Sequence, residues 1–154
     1  MQFDAKGPFL LPFKGKGAWV DWRLRSLRRR LELTRAMRDE IEQCMHALID
    51  QFKQTFRPPW PAHLSLHNTG NGQYVRWRLR GSRLVKQRYF ELAGNEVGMS
   101  LLRSLSPPVR EVYLEFEQQR LKLNLLYGLY HYEVRRLQHY LDAVHNLGVV
   151  MRGL

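Results

Sequence analysis

The chain has 154 residues, 44% of them apolar and 12% aromatic, and a formal net charge of +11. That length suits one domain with a real core, and the apolar content excludes a globally disordered chain. No apolar run approaches the ~20 residues needed to cross a bilayer, and so positive a charge points to a polyanionic partner: nucleic acid, an anionic membrane surface or an acidic protein.

Residues 1–17 read as an irregular arm, with Pro8 and Pro12 opposing regular structure and Gly15 and Gly17 loosening it. The opening MQFDAKGPFLLPFKGKG does not read as a secretory leader, because its apolar stretch is short, broken by Pro12 and preceded by Asp4. Lys14 and Lys16 sit in a Gly-Lys-Gly setting just ahead of a helix start, where backbone amides can cradle an anion. The spacing departs from GxxxxGK[ST], so a nucleotide-hydrolysing loop is not indicated and a flexible basic arm is the ordinary reading.

Residues 19–56 carry a helical pattern. Leu24, Leu27, Leu31, Thr34, Ile41, Met45, Leu48 and Phe52 recur largely at spacings of three and four, with no glycine or proline until RPPWP ends the run at Arg57 to Pro61. Residues 23–38 hold seven basic side chains and one acidic, and Arg23 and Arg30 lie away from the leucine stripe. They are candidate phosphate contacts, with a solvated helix back as the equal alternative. Cys44 is the single cysteine, so it forms no internal disulfide and suits a reducing cytoplasm. Its neighbours Ile41, Met45 and Leu48 give it the look of a small core residue.

Residues 63–92 form a basic β-meander, six basic against one acidic, with strands expected over about 63–67, 73–80 and 84–91. Thr69-Gly70-Asn71-Gly72 and Gly81-Ser82 supply the turns. In YVRWRLR, Arg76, Arg78 and Arg80 alternate with Val75, Trp77 and Leu79. A three-residue second loop sets Arg78 against Lys86 and Arg76 against Arg88, with Val85 and Tyr89 on the apolar face. A charged face of one sign is either edge protection or a grip for a polyanion. Arginine forks suit phosphate, and Tyr74 on the same face can stack on a base or sugar.

Asn95 is an expected cap for a short helix over 96–105, and Ser106-Pro107-Pro108 opens a last helix over 108–147 that stops at Gly148. Its stripe is Val109, Val112, Phe116, Leu123, Leu126, Tyr130, Val134, Leu137, Leu141 and Val144, close to a heptad repeat interrupted by Gln119. The fold class is therefore α+β. Two long antiparallel, coiled-coil-like helices enclose in sequence a small three-stranded antiparallel meander and a short helix. LYGLYHYEVRRLQHY, from Leu126 to Tyr140, is rich in tyrosine and suits burial or a homodimer interface.

The six histidines are scattered, and His63 and His67 share one side of a strand too far apart to chelate easily. Glu111, Glu115 and Glu117 read as ordinary partners of a helix dipole. No nucleophile–base pair, metal-ligand set or cofactor fingerprint stands out, so no enzyme, small-molecule substrate or cofactor is expected.

LLPFKGKG (Leu10 to Gly17), YVRWR (Tyr74 to Arg78) and EQQRLKLNLLYGLYH (Glu117 to His131) together resemble a family of uncharacterised bacterial proteins encoded in integrating conjugative elements, some labelled integrase regulator. The resemblance implies a cytoplasmic accessory protein acting near DNA excision, replication or transfer, and brings no catalytic motif. The expectation is a non-enzymatic protein that grips single- or double-stranded DNA through Tyr74, Arg76, Arg78, Arg80, Lys86 and Arg88, aided by Arg23, Arg30, Lys14 and Lys16. The rival is a helical adaptor or oligomerisation module whose charge only solubilises it. An anionic membrane is the weaker partner, because the basic residues do not flank an exposed apolar helical face.

Overall fold

The computed structural model describes residues 23–81 and 88–153. The predicted arm over 1–17, the predicted helical residues 19–22, and Lys14, Lys16 and Lys86 lie outside them. The described elements run α1 (Leu24–Thr55), β1 (Ala62–Thr69), β2 (Gly72–Leu79), β3 (Tyr89–Phe90), α2 (Glu96–Ser104) and α3 (Pro107–Gly153). The fold is α+β, as expected. β1, β2 and β3 form one antiparallel sheet in sequence order.

The two long helices pack antiparallel. Phe52, late in α1, meets Phe116, early in α3, with ring centroids 5.2 Å apart. At the other end Arg30, early in α1, donates to Glu133, late in α3, at 2.5 Å. The stripe predicted for α3 is buried or half-buried along its whole length, and Gln119 is exposed. On α1, Leu27, Leu31, Thr34, Met45, Leu48, Ile49 and Phe52 are buried. Leu24 is not: at the first turn no described residue covers it and it stays exposed.

Two further expectations fail for simple reasons of geometry. Cys44 is exposed, because it sits one residue, or about 100°, round the helix from the buried Met45. Gly148 does not end α3, which runs about 70 Å to Gly153. Gly148 keeps a negative φ, so it supplies none of the left-handed backbone that a glycine stop requires. α2 matches its prediction to one residue, and the Asn95 side chain accepts from Gly98 N at 3.0 Å.

Phe52 is the hub of the core. Its ring lies within 5.0–6.4 Å of Phe56, Trp60, Trp77, Tyr113 and Phe116. Trp77 stacks on Tyr113 at 5.2 Å. The Tyr113 hydroxyl donates to Ala62 O at 3.1 Å, and burial pushes its pKa up to about 12.

A polar interlock then fixes the sheet on α3. β3 is only two residues long, so beyond Phe90 the edge of β2 needs other hydrogen-bond partners. Asn124 supplies them: its Oδ1 accepts from Val75 N and its Nδ2 donates to Val75 O, both at 2.9 Å. One turn earlier Arg120, 3% exposed, donates to Val75 O, to Glu91 and through two nitrogens to Glu117. Trp77 Nε1 donates to Glu117 at 2.6 Å. Burial alone would raise the Glu117 carboxyl. Hydrogen bonds from Arg120 and Trp77, with the Arg120 charge, outweigh it and hold the group below its ordinary value of 4.5. Glu117 is thus a buried ion-pair member and not a dipole partner.

Glu117→Gln should cost about 3 kcal/mol at pH 7, because it leaves a buried guanidinium with only the half-exposed Glu91. A carboxyl whose folded pKa is depressed stabilises the fold above its unfolded pKa and loses that contribution as pH falls through the folded value. The stability gap between wild type and variant, read by urea unfolding, should therefore narrow below about pH 4.5. A gap that stays constant to pH 3 would contradict the pairing.

The β1–β2 turn makes a second demand. Gly72 has φ +133°, and a Cβ there would lie 3.1 Å from the Tyr127 ring. Gly72→Ala should lower stability by about 1–3 kcal/mol. Gly70→Ala, with open space and no positive φ, should leave the melting temperature nearly unchanged.

Candidate nucleic-acid interface

The interlock decides which way the arginines face. Val75 and Trp77 are fully buried, so the alternation of β2 turns Tyr74, Arg76 and Arg78 to the outer face. Arg76 and Arg78 are half-buried and Arg80 is exposed. β1 contributes His63 opposite Arg78, Ser65 opposite Arg76 and His67 opposite Tyr74.

The third strand differs from its predicted register. Arg78 pairs with Tyr89 and Trp77 with Phe90, where the sequence pattern set Arg78 against Lys86 and Arg76 against Arg88. The pairing is shifted by three residues, which reverses the faces of the third strand. Burial explains the choice. Phe90 and Leu92 are 5% and 0% exposed beside Trp77 and Val75. A phenylalanine ring leaves no hydroxyl to satisfy, so Phe90 takes the core position and Tyr89 turns out. Arg88 is exposed, and its carbonyl accepts from Leu79 N at 3.0 Å. It stands opposite Leu79 at the sheet margin and does not share the parity of Arg76.

Tyr89 is the residue that sequence reasoning misplaced. Its ring receives Arg76 at 5.1 Å and Arg78 at 5.7 Å from guanidinium carbon to centroid, both within cation–π range. His67, from the opposite strand, meets the same ring at 4.6 Å. The parity of His67 was readable from the alternation of β1. Its convergence with Tyr89 was not, because that depends on the shifted register.

No carboxylate among the described residues pairs with Arg76, Arg78, Arg80 or Arg88. Glu91, the lone acid of residues 63–92, is held by Arg120 at 2.9 Å. Arg78 Nε is buried and has no acceptor among the described residues. Burial, then the charges of Arg78 and Lys53, push the His63 pKa down. His63 is therefore neutral at pH 7, and arginine carries the charge of this face.

The α1 candidates fare differently. Arg30 is exposed but tied to Glu133. Arg23 stands at the N-cap of α1 and makes interactions within the protein. Neither joins the sheet face.

Tyr74 links that face to a cleft of about 810 Å³ beneath the hairpin tip. Arg35, His131, Arg135, Arg136 and His139 line it, with Asp142 as the acid. Arg135 donates to Asn71 Oδ1 at 3.3 Å, and Arg35 donates to Gln138. His131 stacks on Tyr127 at 5.6 Å. Burial, then Arg38 and Arg135, lower the His131 pKa. Arg135 and Arg136 escaped the sequence reading because their segment is neutral overall. The available signal was the i, i+4, i+8 ladder Tyr127–His131–Arg135, which sets the arginine on the side of α3 under the hairpin.

No protein-family model, curated protein or solved structure matches this chain.

Proposed function

We propose that this chain is a non-enzymatic nucleic-acid-binding accessory protein that grips a phosphate backbone through the outer face of its sheet. One observation carries the reading: Arg76 and Arg78 share one face of β2, Arg80 is exposed just past its end, and no carboxylate among the described residues neutralises any of the three. Arginines that serve the fold look different. Arg120 is buried against Glu117, and Arg110 donates to the last carbonyls of α2, Leu102 O and Leu105 O.

The rings around the arginines refine the partner. Tyr74, Tyr89 and His67 give the same face flat surfaces on which unpaired bases can stack, a device of single-strand binders. Arg76 and Arg78 are held by the Tyr89 ring, so their forks are ordered before a phosphate arrives. The cleft with Arg35 and Arg135 extends positive charge from Tyr74 along the hairpin. The family resemblance adds a context, a cytoplasmic protein of a mobile element acting near its DNA. The second reading, a helical adaptor without nucleic-acid contact, draws on the apolar side chains left exposed along α3.

The test is a salt-dependent anisotropy titration on matched single- and double-stranded oligonucleotides. About six phosphate contacts give a log–log slope near −5 on duplex DNA. Arg76→Ala with Arg78→Ala should weaken binding on every sequence alike and flatten the slope by about 1.8 on duplex or about 1.4 on a single strand. Arg30→Ala, already engaged with Glu133, should change the slope little. Affinity and slope that do not respond to the double variant would refute the sheet as the grip.

A further inference from the structure

We propose that α3 pairs antiparallel with α3 of a second copy of this chain through a leucine stripe on its outer side. The seam takes Tyr132 and Arg136 from the rim of the cleft beneath the hairpin and uses none of the sheet arginines Arg76 and Arg78. Leu114, Leu121, Leu125 and Tyr132 are 43%, 51%, 63% and 66% exposed. Single exposed leucines are ordinary, but a continuous stripe is not. At 100° per residue these four lie within about 20° of one line along the helix, over about 27 Å.

Their spacing names the occupant. The intervals are seven, four and seven residues, which read the same in both directions. A stripe with that property matches its own reverse, as a two-fold interface between identical antiparallel helices requires. Turned end for end about the level of residue 123, Leu121 faces Leu125 of the partner subunit and Leu114 faces Tyr132 of the partner subunit.

The charges agree with the same axis. Glu111 and Arg136 are both exposed and have no ion-pair partner among the described residues. They lie on the same flank of the stripe, the flank that meets itself in an antiparallel pair. The reversal brings Glu111 to within one residue, about 1.5 Å along the axis, of Arg136 of the partner subunit. Two such bridges would close the seam at its ends. Gly128 lies about 40° from the stripe on its other flank, level with Gln118 of the partner subunit. Glycine weakens a helix interior, and nothing within 4 Å crowds Gly128 in its own chain. A second helix lying close gives the small residue a use. The seam is centred near residue 123, ahead of the tyrosine-rich stretch, and shares that stretch as far as Arg136.

Light scattering and sedimentation of the full chain test this, with reductant present because Cys44 is exposed. The expected mass is twice the 18.4 kDa of one chain. Leu121→Asp with Leu125→Asp should raise the dimer dissociation constant about a hundredfold or more, with an unchanged far-ultraviolet dichroism spectrum. Glu111→Arg and Arg136→Glu should each weaken the dimer a few-fold, and the two together should restore it, which a merely structural effect would not do. A chain monomeric at every concentration overturns the proposal and passes the stripe to residues 1–22 or to another protein. A dimer indifferent to both leucine and charge variants also overturns it, placing the seam elsewhere.

Discussion

The structure turns on the peptide of Val75. Its N–H and C=O face the edge of β2 that two-residue β3 does not reach, and Asn124 takes both while Arg120 adds a second donor to the carbonyl. An amide side chain stands where another strand would be, so the sheet ends on the helix without an orphaned edge. Arg120 can play this part only because Glu117 neutralises it, and Glu117 is anchored by Trp77. A buried ion pair is weak evidence for net stability. What it supplies here is position: sliding β2 by one residue would strip Val75 and Trp77 of their partners and turn the arginines into the core. The outward aim of Arg76 and Arg78 is thus a consequence of polar bonds on the opposite side of the strand.

That constraint explains the pattern of what could be read in the sequence. Periodicities that depend on one element alone were legible: the stripe of α3, the proline stop after α1, the Asn95 cap and the first hairpin with its Gly-Asn turn. Where two elements had to be weighed together, pattern was insufficient. Tyr89 and Phe90 are both aromatic, and the alternation of residues 84–91 fits either parity. The choice falls to the pocket beside Trp77, which prefers the ring without a hydroxyl. Glu117 illustrates the same limit. Beside Glu111 and Glu115 it looks like helix-end chemistry, and only the approach of Trp77 from β2 gives it a partner. YVRWR (Tyr74 to Arg78) and EQQRLKLN (Glu117 to Asn124) contain the two halves of this one contact.

Net charge alone would have treated every arginine alike. The structure sorts them. Arg120 and Arg110 hold buried or terminal backbone groups. Arg30 and Arg35 strap α1 to α3 through Glu133 and Gln138. Arg76 and Arg78 rest on an aromatic ring with no acid beside them. Long-range potential comes from all of these, and Arg25, Arg28 and Arg29 of α1 are also exposed without an ion-pair partner among the described residues, but only Arg76 and Arg78 join free charge to an aromatic platform. The neighbouring rings, and not a lack of free arginines on α1, are what favour β2 as the proposed binding face.

The same stretch of α3 serves two purposes on adjacent sides. Leu121 follows Arg120 and Leu125 follows Asn124, so each interlock residue has a stripe residue about 100° round the helix. A two-fold pair through the stripe would carry two sheets fixed to one rigid seam, with no flexible linker between them. Their spacing would then be set by the helix, and a strand long enough to touch both faces would gain from the high effective concentration of the second. A strand too short to span them would not. Length dependence of binding therefore links the two proposals without merging them: a monomer that still loses affinity when Arg76 and Arg78 are removed keeps the grip and abandons the pair, whereas a dimer blind to those arginines keeps the pair and abandons the grip.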